Sequence, residues 1–280
     1  MADPRPRRRR LDLLSIAVAP VGIGVILLAQ RADGGLLASL TQGPAALIVF
    51  GGTLGAVLLS FRPRELARAI RAAFGAFLVP EDNVDTLAAT LTSFSVRAHR
   101  VGLLALETEI DAIPDPFLRH GLTLAVDDTP HATVQEFLAA EKAARDAHDE
   151  APARVFEAAA GYAPTFGILG AVLGLIRVME HLDAPAMLGS GMAVAFVSTA
   201  YGVGVANLLL LPIAGRLRER AAVASRHRDL VIQGVSAIHQ RLHPRLVAQK
   251  IGVYTEEMPA VDGVHPRPTR RGTRQVRVAS

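Results

Sequence analysis

Four apolar stretches of this sequence contain a small set of polar side chains that could take part in chemistry inside a membrane. The stretches cover residues 13–29, 44–60, 163–176 and 191–212, and none of them contains Asp, Glu, His, Lys or Arg. The polar residues in their deep parts are Ser15, Thr53, Thr165, Ser198, Thr199, Tyr201 and Asn207. Hydroxyl and amide groups can coordinate an ion or a water, but they do not change charge near neutral pH.

The lack of a titratable group limits what these stretches can do alone. A proton or cation that crosses hydrocarbon normally uses a carboxylate or a histidine on its path. If this protein conducts ions, we therefore expect the titrating group to come from another chain. An enzyme is not indicated, because the sequence offers no convergent nucleophile, base or metal cluster. The absence of cysteine also excludes disulfides and thiolate metal sites.

The overall composition agrees with a membrane protein that has a soluble-like middle. The 280 residues are 50% hydrophobic and 20% charged, with a mean hydropathy of +0.31. This is too apolar for an ordinary soluble domain and too charged for a chain wholly within lipid. The residues between the second and third apolar stretches have the charge density of a soluble protein.

Each apolar stretch, with its flanks, is long enough to cross the membrane once, since a helix needs about 20 residues for this. With the N-terminus in the cytoplasm, only Arg31 and Arg177 of the 30 Lys and Arg residues lie on or near the outer side. This is the asymmetry that the positive-inside rule requires. Ten arginines lie in the two terminal tails without aromatic residues between them, a pattern that does not favour nucleic-acid binding.

These patterns predict an all-α integral membrane protein with four transmembrane helices. A helical cytoplasmic domain is inserted between the second and third spans, and long helices extend into it from the membrane. The expected segments are a basic cytoplasmic N-terminus (1–10), spans 1 and 2 (11–60), the cytoplasmic helical domain (61–161), spans 3 and 4 (162–213), a C-terminal cytoplasmic helix (214–254) and a disordered basic tail (255–280).

Local signals refine this outline. Two apolar stripes with helical spacing are Val84, Leu87, Leu91 and Phe94, and then Leu103, Leu106, Ile110 and Ile113. A long helix is expected from Thr133, which forms a capping box with Glu136, into the third span. Pro164 is expected in the first turn of that span, where proline is tolerated, and Pro212 at the end of the fourth.

Small residues are frequent in the spans. Gly51 with Gly55, and Gly170 with Gly174, have the G-x-x-x-G spacing that allows helix backbones to approach closely. We therefore expect these helices to pack against protein more than against lipid.

The third and fourth apolar stretches resemble the paired third and fourth spans of the MotA/PomA family of flagellar stator subunits. The segments that carry this resemblance are GYAPTFGILGAVLGLI (161–176), LGSGMAVAFVSTAYGVGVAN (188–207) and LPIA (211–214). Segments similar to other parts of the family are PAALIVFGGT (44–53) for the second span, GLLALE (102–107) and LAVDDT (124–129) for the cytoplasmic domain, and HPRLVAQK (243–250) for the C-terminal helix.

The resemblance implies a motor subunit of the bacterial inner membrane. Five copies are expected to surround two copies of a MotB-like, peptidoglycan-binding partner, whose single span carries an Asp that binds the permeating ion. That Asp would supply the carboxylate that the present chain lacks. Protonation and release there would turn the ring of subunits, and the cytoplasmic domain would push on the rotor protein FliG. No cofactor is implied.

Individual residues match family positions with assigned roles. Pro164 and Pro212 match its two functional prolines. Thr199 matches a hydroxyl near the partner's Asp, with Ser198 beside it. Ala171 stands where sodium-driven members tend to have Thr, which would add an oxygen ligand for a hard cation. The resemblance therefore implies proton coupling.

The family's rotor-facing charges are matched in part. Glu107 and Glu141 correspond to charges of its cytoplasmic domain. The family commonly has an Ala-Arg-Arg-Glu-Gly run, whereas this chain has AHRVG at 98–102. His99 thus occupies the usual Arg position, with Arg100 next to it.

Two alternatives stay open at this point. An ExbB/TolQ-type energy-coupling subunit also needs a carboxylate-bearing partner, although that family has three spans. A membrane scaffold without ion flux would use the glycine-rich spans for oligomerisation alone.

Overall fold

The computed structural model describes residues 10–11, 21–22, 24–25, 28–29, 31–32, 40–76, 78–79 and 84–255. Most of the expected first span and nearly all of both basic tails lie outside the described residues. Within them, the chain is helical apart from turns and a two-residue antiparallel pairing of β1 (Arg10–Leu11) with β2 (Leu78–Val79). The all-α prediction is confirmed for this part of the chain.

The helices of residues 43–255 divide into an apolar group and a more polar group. In chain order they are α1 (Gly43–Ser60), α2 (Pro63–Ala76), α3 (Val84–Val101), α4 (Glu107–Ile110), α5 (Pro116–Val126), α6 (His131–Glu180), α7 (Pro185–Val205), α8 (Leu211–His239) and α9 (Pro244–Thr255). Among them, α1, α6 and the continuous helix of α7 and α8 are long and apolar enough to cross a bilayer. They correspond to the second, third and fourth expected spans.

Glycines bring α6 and the antiparallel α7 into contact. A Cβ atom on Gly170 would lie 2.5 Å from the Oγ of Ser198, and one on Gly174 would lie 2.6 Å from the backbone nitrogen of Ala195. No side chain fits at such distances, so only glycine permits this approach. Gly170 and Gly174 thus pack against protein, as expected.

α1 packs on this pair through a glycine that the sequence analysis did not single out. A Cβ on Gly52 would overlap the ring of Phe166 on α6, whereas a Cβ on Gly55 would enter open space. Gly51 has only Leu47 of its own helix nearby. The prediction that Gly51 and Gly55 form a close helix contact is therefore wrong within this chain. Adjacent helical residues point about 100° apart, so with Gly52 facing α6, Gly51 faces elsewhere.

A separate apolar core joins the polar helices. Its large, fully buried side chains are Leu91, Leu106, Phe117, Leu122, Val134, Leu138, Leu230, Val231, Val235, Ile238 and Val247. They come from α3, α5, α8, α9, the start of α6 and the turn before α4. The predicted stripe on α3 is confirmed, because Leu87, Leu91 and Phe94 are all buried in this core.

The second predicted stripe is buried, but it does not form one amphipathic helix. Gly102, with a φ of 99°, turns the chain directly after α3. A 3₁₀ turn (Leu103–Leu106) and the short α4 follow. Leu106, Ile110 and Ile113 nevertheless reach the core, so the apolar spacing predicts burial correctly and the type of element incorrectly.

α6 begins two residues earlier than the capping signal predicts. Its first residue is His131, and the cap position is occupied by Pro130, whose side chain cannot accept a hydrogen bond. The predicted capping box of Thr133 and Glu136 is therefore wrong, since both residues lie inside the helix. Asp128 has a φ of 56° and forms the preceding turn.

The C-terminal helix, expected to be continuous, is divided between α8 and α9. The Arg241 N–H donates to the Ile238 carbonyl at 2.9 Å, and the Leu242 N–H donates to the Ala237 carbonyl at 3.1 Å. With a φ of 52° at Arg241, these bonds form a Schellman ending. Pro244 then starts α9, and proline disfavours the helical conformation in the residue before it.

Candidate functional site

Pro164 lies inside a continuous helix, far from either end of α6. The prediction that it occupies a first helical turn is therefore wrong. Because proline has no N–H, the Ala160 carbonyl loses its usual donor four residues later in the chain. A second internal proline, Pro152, interrupts the same helix nearer its start. Such interruptions are the points at which a helix bends.

Pro212 follows a π-helical turn (Ala206–Leu210) that joins α7 to α8. The helix does not end there, as the sequence suggested, but continues through α8. Pro212 cannot donate to the Leu208 carbonyl, and its ring crowds that carbonyl, so a wider turn before it relieves the contact. The Asn207 side-chain amide donates to the Val203 carbonyl at 2.9 Å in the same region.

Ser198 lies in the seam between α6 and α7. Ser198 is fully buried, and its hydroxyl donates to the Val194 carbonyl at 2.7 Å. Gly170 is directly opposite. In this arrangement, Ser198 is a packing group whose hydroxyl is already bonded to its own helix.

Thr199 and Ala171 lie on a flank of the same helix pair that faces away from α1. Both are partly exposed. Thr199 precedes Tyr201 by two residues, about 200° of helix rotation, and the Tyr201 ring lies 5.9 Å from the Phe50 ring of α1. Ala171 follows Phe166, which contacts α1, by five residues, about 140° of rotation.

Pro164 shares the Ala171 side of α6, since seven residues are nearly two full helical turns. The Thr199 hydroxyl donates to the Ala195 carbonyl at 3.4 Å, a long bond that leaves its oxygen available to another donor. The flank thus presents one hydroxyl and one helix interruption. In the part of the chain that the structure describes, no three His, Asp or Glu side chains are grouped to hold a metal ion.

Two other hydroxyls of the apolar stretches lie away from this flank. The Tyr201 hydroxyl donates to the Leu40 carbonyl and accepts from the Gln42 N–H at 3.3 Å, so it ties α7 to the segment before α1. The Thr53 hydroxyl is buried and has no hydrogen-bond partner among the described residues. The sequence shows that these groups are present, but not which neighbour each one meets.

The residues expected to meet a rotor lie at the turn between α3 and α4. His99 and Arg100 lie in the last turn of α3, Glu107 begins α4, and all three are exposed. An ion pair of Arg97 with Glu109 braces the same turn. The sequence analysis did not identify this pair, because the two residues become neighbours only through the turn.

Glu141 lies on the polar half of α6 and is held by its neighbours. Its carboxylate lies 2.6 Å from the His120 ring nitrogen of α5 and accepts from Arg145 at 2.6 and 2.9 Å. Burial alone would raise the pKa of Glu141, but the hydrogen bonds from His120 and Arg145 outweigh this effect and hold that pKa below its ordinary value. The carboxylate is therefore charged at neutral pH and already paired.

A charge network ties the polar part of α6 to α8. The mostly buried Arg228 donates to Asp146 at 2.6 Å and to Asp149. Asp146 also accepts from Lys142 and Ser225, each at 2.8 Å. Burial alone would raise the pKa of Asp146, but these donors keep it below its ordinary value. The sequence analysis did not identify this network; only Lys142 and Asp146, four residues apart on one helix, have a spacing that could have indicated a pair.

Comparison with known proteins shows which family the chain resembles. Residues 109–229 match the MotA/TolQ/ExbB proton channel family. The uncharacterized protein YtxD of Bacillus subtilis is 32% identical over 249 residues, covering 88% of this chain and 92% of the relative. Motility protein A of Bacillus subtilis is 31% identical over 255 residues, with coverage of 90% and 92%. Chemotaxis protein PomA of Vibrio alginolyticus is 30% identical over 247 residues, with coverage of 88% and 96%.

Solved structures are similar over the same length. The flagellar MotAB stator complex from Bacillus subtilis has 30% identity and a TM-score of 0.75, covering 89% of this chain and 96% of the matched chain. C. jejuni MotAB has 22% identity and a TM-score of 0.79, covering 91% and 100%, and supports the fold. Because near-complete relatives share 30–32% identity with it, the chain belongs to the MotA/PomA group of flagellar stator subunits within the MotA/TolQ/ExbB proton channel family.

Proposed function

We propose that this chain is the motor subunit of a proton-driven flagellar stator and that it works with a MotB-like partner. The observation that carries the proposal is the flank of α6 and α7 that α1 leaves uncovered. This flank presents Thr199, Ala171 and Pro164, while the apolar stretches around it contain no Asp, Glu, His, Lys or Arg. A partner helix that carries an Asp would place a carboxylate beside the Thr199 hydroxyl and complete a proton path.

The chemistry of the flank favours protons over sodium ions. A carboxylate in a low-dielectric setting is costly to ionise, so binding and release of a proton change how strongly it attracts the groups around it. Sodium is a hard cation that takes several oxygen ligands, and Ala171 supplies none. Each proton that enters releases about 2.3 kcal/mol per 100 mV of membrane potential.

The long helices would transmit the change in protonation to the polar body, which consists of α3, α4, α5, α9 and the parts of α6 and α8 that share their core. Pro164 and the π-helical turn before Pro212 give α6 and the α7–α8 helix defined points at which to bend. Beyond those points, Arg228 ties the helices together through Asp146 and Asp149. A displacement at the proton site would therefore move the polar helices as a unit.

The polar body would engage the rotor protein FliG at the turn between α3 and α4. His99, Arg100 and Glu107 are exposed there and offer charges of both signs. Glu141 would contribute through the paired cluster that it forms with His120 and Arg145.

The assembly would follow the MotAB complexes that the chain resembles. Five copies would surround two copies of a peptidoglycan-binding partner in the bacterial inner membrane. Both termini, the segment 61–161 and the segment 214–254 would lie in the cytoplasm. The distribution of Lys and Arg supports this orientation.

Proton entry into cells that co-express the chain with its single-span, Asp-bearing partner tests the conduction step. We expect acidification only when both proteins are present, and none when the partner's Asp is changed to Asn. A pair that assembles and conducts no protons would contradict the proposal and favour a scaffold.

The rotor step is tested separately with Glu107→Lys, using the charge-preserving Glu107→Asp as the control. We expect the Lys variant to swim poorly with unchanged proton leak, and the Asp variant to swim normally. Proton flux that never supports rotation, even in the wild type, would instead favour an ExbB/TolQ-like energy-coupling subunit.

A further inference from the structure

α2 presents three different faces around its axis. One face, which includes Leu66, Ala69 and Ala76, packs against the other helices. A second face presents Ile70 and Phe74, which are 53% and 82% exposed. Large apolar side chains that are this exposed on a helix next to a span indicate contact with something other than water.

The third face of α2 is basic. Arg64, Arg68 and Arg71 are all exposed, and their spacing of four and three residues places them on one side of the helix. An open groove along this side is lined by Pro63, Arg64, Ala67, Arg68, Arg71 and Ala72. An apolar edge beside a row of basic residues is typical of helices that lie in a membrane surface.

α2 lies beside the ends of the apolar segments. Ala69 packs in one cluster with Ala159 of α6, and Ala76 packs in another with Leu217 of α8. Ala159 and Leu217 are four and five residues from the apolar segments of their helices. At 1.5 Å per residue this is about 6–8 Å, whereas Ala153, in the same cluster as Ala76, lies about 15 Å from the apolar segment of α6. Since a helix is about 10 Å across, α2 crosses from α6 to α8 with its nearer edge at the depth expected for lipid headgroups.

One contact shows which edge of α2 faces the bilayer. The Arg68 guanidinium lies 3.2 Å from the His148 ring nitrogen, and His148 is farther from the apolar segment of α6 than Ala159 is. The Arg68 side chain therefore points away from the membrane. Ile70 and Phe74 lie on the other side of the packed face, so they point toward the bilayer.

We infer that α2 is a binding site for anionic phospholipid in the cytoplasmic leaflet. Ile70 and Phe74 enter the boundary between headgroups and acyl chains. Arg64 and Arg71 lie about 40° and 60° farther around the helix from the packed face than Arg68 does. They point sideways along the membrane surface, and their side chains contact headgroup phosphates, for which the planar guanidinium provides two parallel hydrogen bonds. The lipid thereby holds the first helix after the second span against α6 and α8. This inference rests on the proposed membrane orientation and not on ion conduction.

The depth of α2 is measured with a single fluorescent label, which is possible because the chain has no cysteine. Phe74→Cys is labelled in the full-length complex and reconstituted into nanodiscs whose lipids carry a quencher near the headgroup end of the acyl chain. Leu104→Cys is the matched control, since Leu104 is an apolar residue that is 71% exposed at the turn between α3 and α4.

We expect lipid quenching at position 74 and none at position 104. Equal quenching at both positions, or none at position 74, would overturn the inference. A disulfide that forms between two copies through position 74 would also overturn it, because the face would then be an interface between subunits.

The headgroup contact is tested with the double variant Arg64→Gln, Arg71→Gln in the purified complex. The control is Arg245→Gln, Lys250→Gln, which removes the same charge from exposed positions on α9. The number of phosphatidylglycerol and phosphatidylcholine molecules retained is counted by native mass spectrometry.

We expect the α2 variant to lose phosphatidylglycerol affinity by about fivefold per arginine, and the control to match the wild type. Equal retention of the two lipids by the wild type, or equal losses in both variants, would overturn the inference. Loss of proton flux without loss of phosphatidylglycerol would concern the proposed conduction and leave the lipid site standing.

Discussion

Gly170 and Ser198 face each other so closely that the seam between α6 and α7 has no room for one more methyl group. A Cβ on Gly170 would lie 2.5 Å from the Ser198 Oγ and 2.6 Å from its Cβ. Ser198 cannot move aside easily, because it is fully buried and bonded to Val194. This contact sets the spacing of the two helices that carry Thr199 and Ala171.

The variant Gly170→Ala should therefore separate the two helices and destabilise the protein. Overpacking of this kind costs about 1–3 kcal/mol, and we expect a lower thermal unfolding temperature of the purified protein in detergent. Gly161→Ala on the same helix is the control, since a Cβ there would enter open space. Adding Ser198→Gly should restore stability to Gly170→Ala. Wild-type stability of Gly170→Ala alone would show that the seam is looser than described.

The variant Thr199→Val should lower proton flux, because valine has nearly the shape of threonine but no hydroxyl. Loss of one such hydrogen-bonding group costs about 1.4 kcal/mol, or about tenfold in rate. Thr199→Ser keeps the oxygen and should conduct nearly as well as the wild type. Flux is measured in co-expressing cells at matched membrane levels. Equal flux in the Val and Ser variants would remove Thr199 from the path.

The sequence predicts the apolar helices well, because their signals are local. The stretches at 44–60, 163–176 and 191–212 each fall within helices that are apolar enough to span a membrane. The buried stripe on α3 also follows directly from spacing. Family resemblance then identifies Thr199 as a residue to examine, but the flank on which it lies depends on where α1 packs.

The errors of prediction occur where tertiary structure overrides a local rule. Pro164 is a helix-start signal by itself, yet packing on both sides keeps α6 continuous through it. The spacing of Gly51 and Gly55 is correct for close contact, but Gly52 faces α6 instead. The pairing of Glu141 is a different case, since it was not predicted: His120 becomes its neighbour only when α5 packs beside α6.

The variant Arg241→Gly should stabilise the protein. Arg241 ends α8 with a φ of 52°, a conformation that costs a residue with a Cβ about 1 kcal/mol and costs glycine almost nothing. Glycine also raises the conformational entropy of the unfolded chain, which offsets part of this gain in stability. We therefore expect a net rise in Tm of about 2 °C. Arg245→Gly, in the first turn of α9, should instead lower the Tm. A lower Tm for Arg241→Gly would contradict the Schellman ending.

Acid should weaken the contact between the start of α6 and the end of α8 through His239. Burial lowers the pKa of His239, and the nearby His131, with its ring nitrogen 3.3 Å away, lowers that pKa further. The negative charge of Asp128 raises it, but by less. The folded state thus binds fewer protons here than the unfolded state does. Its stabilising contribution is present above the ordinary histidine pKa of about 6.5 and is lost as pH falls through the lowered value.

We therefore expect the Tm of the wild type to fall between pH 7.5 and 5.5 more steeply than that of His239→Gln. Asp115 does not interfere in this window. Although burial opposes its ionisation, hydrogen bonds from His227 and backbone amides hold its pKa below the ordinary value, so it titrates at lower pH. Identical slopes for the wild type and the variant would show that His239 does not contribute.

The central claim is that the flank of α6 and α7 that faces away from α1 meets the Asp-bearing helix of the partner. Disulfide cross-linking tests it directly, because the chain has no cysteine of its own. A single cysteine is placed at Thr199, or at the control position Val197, which is buried with Ala45 of α1. A second cysteine is placed next to the Asp of the partner. The account predicts a cross-link from Thr199→Cys and none from Val197→Cys, whereas an assembled complex that cross-links only through Val197→Cys would contradict it.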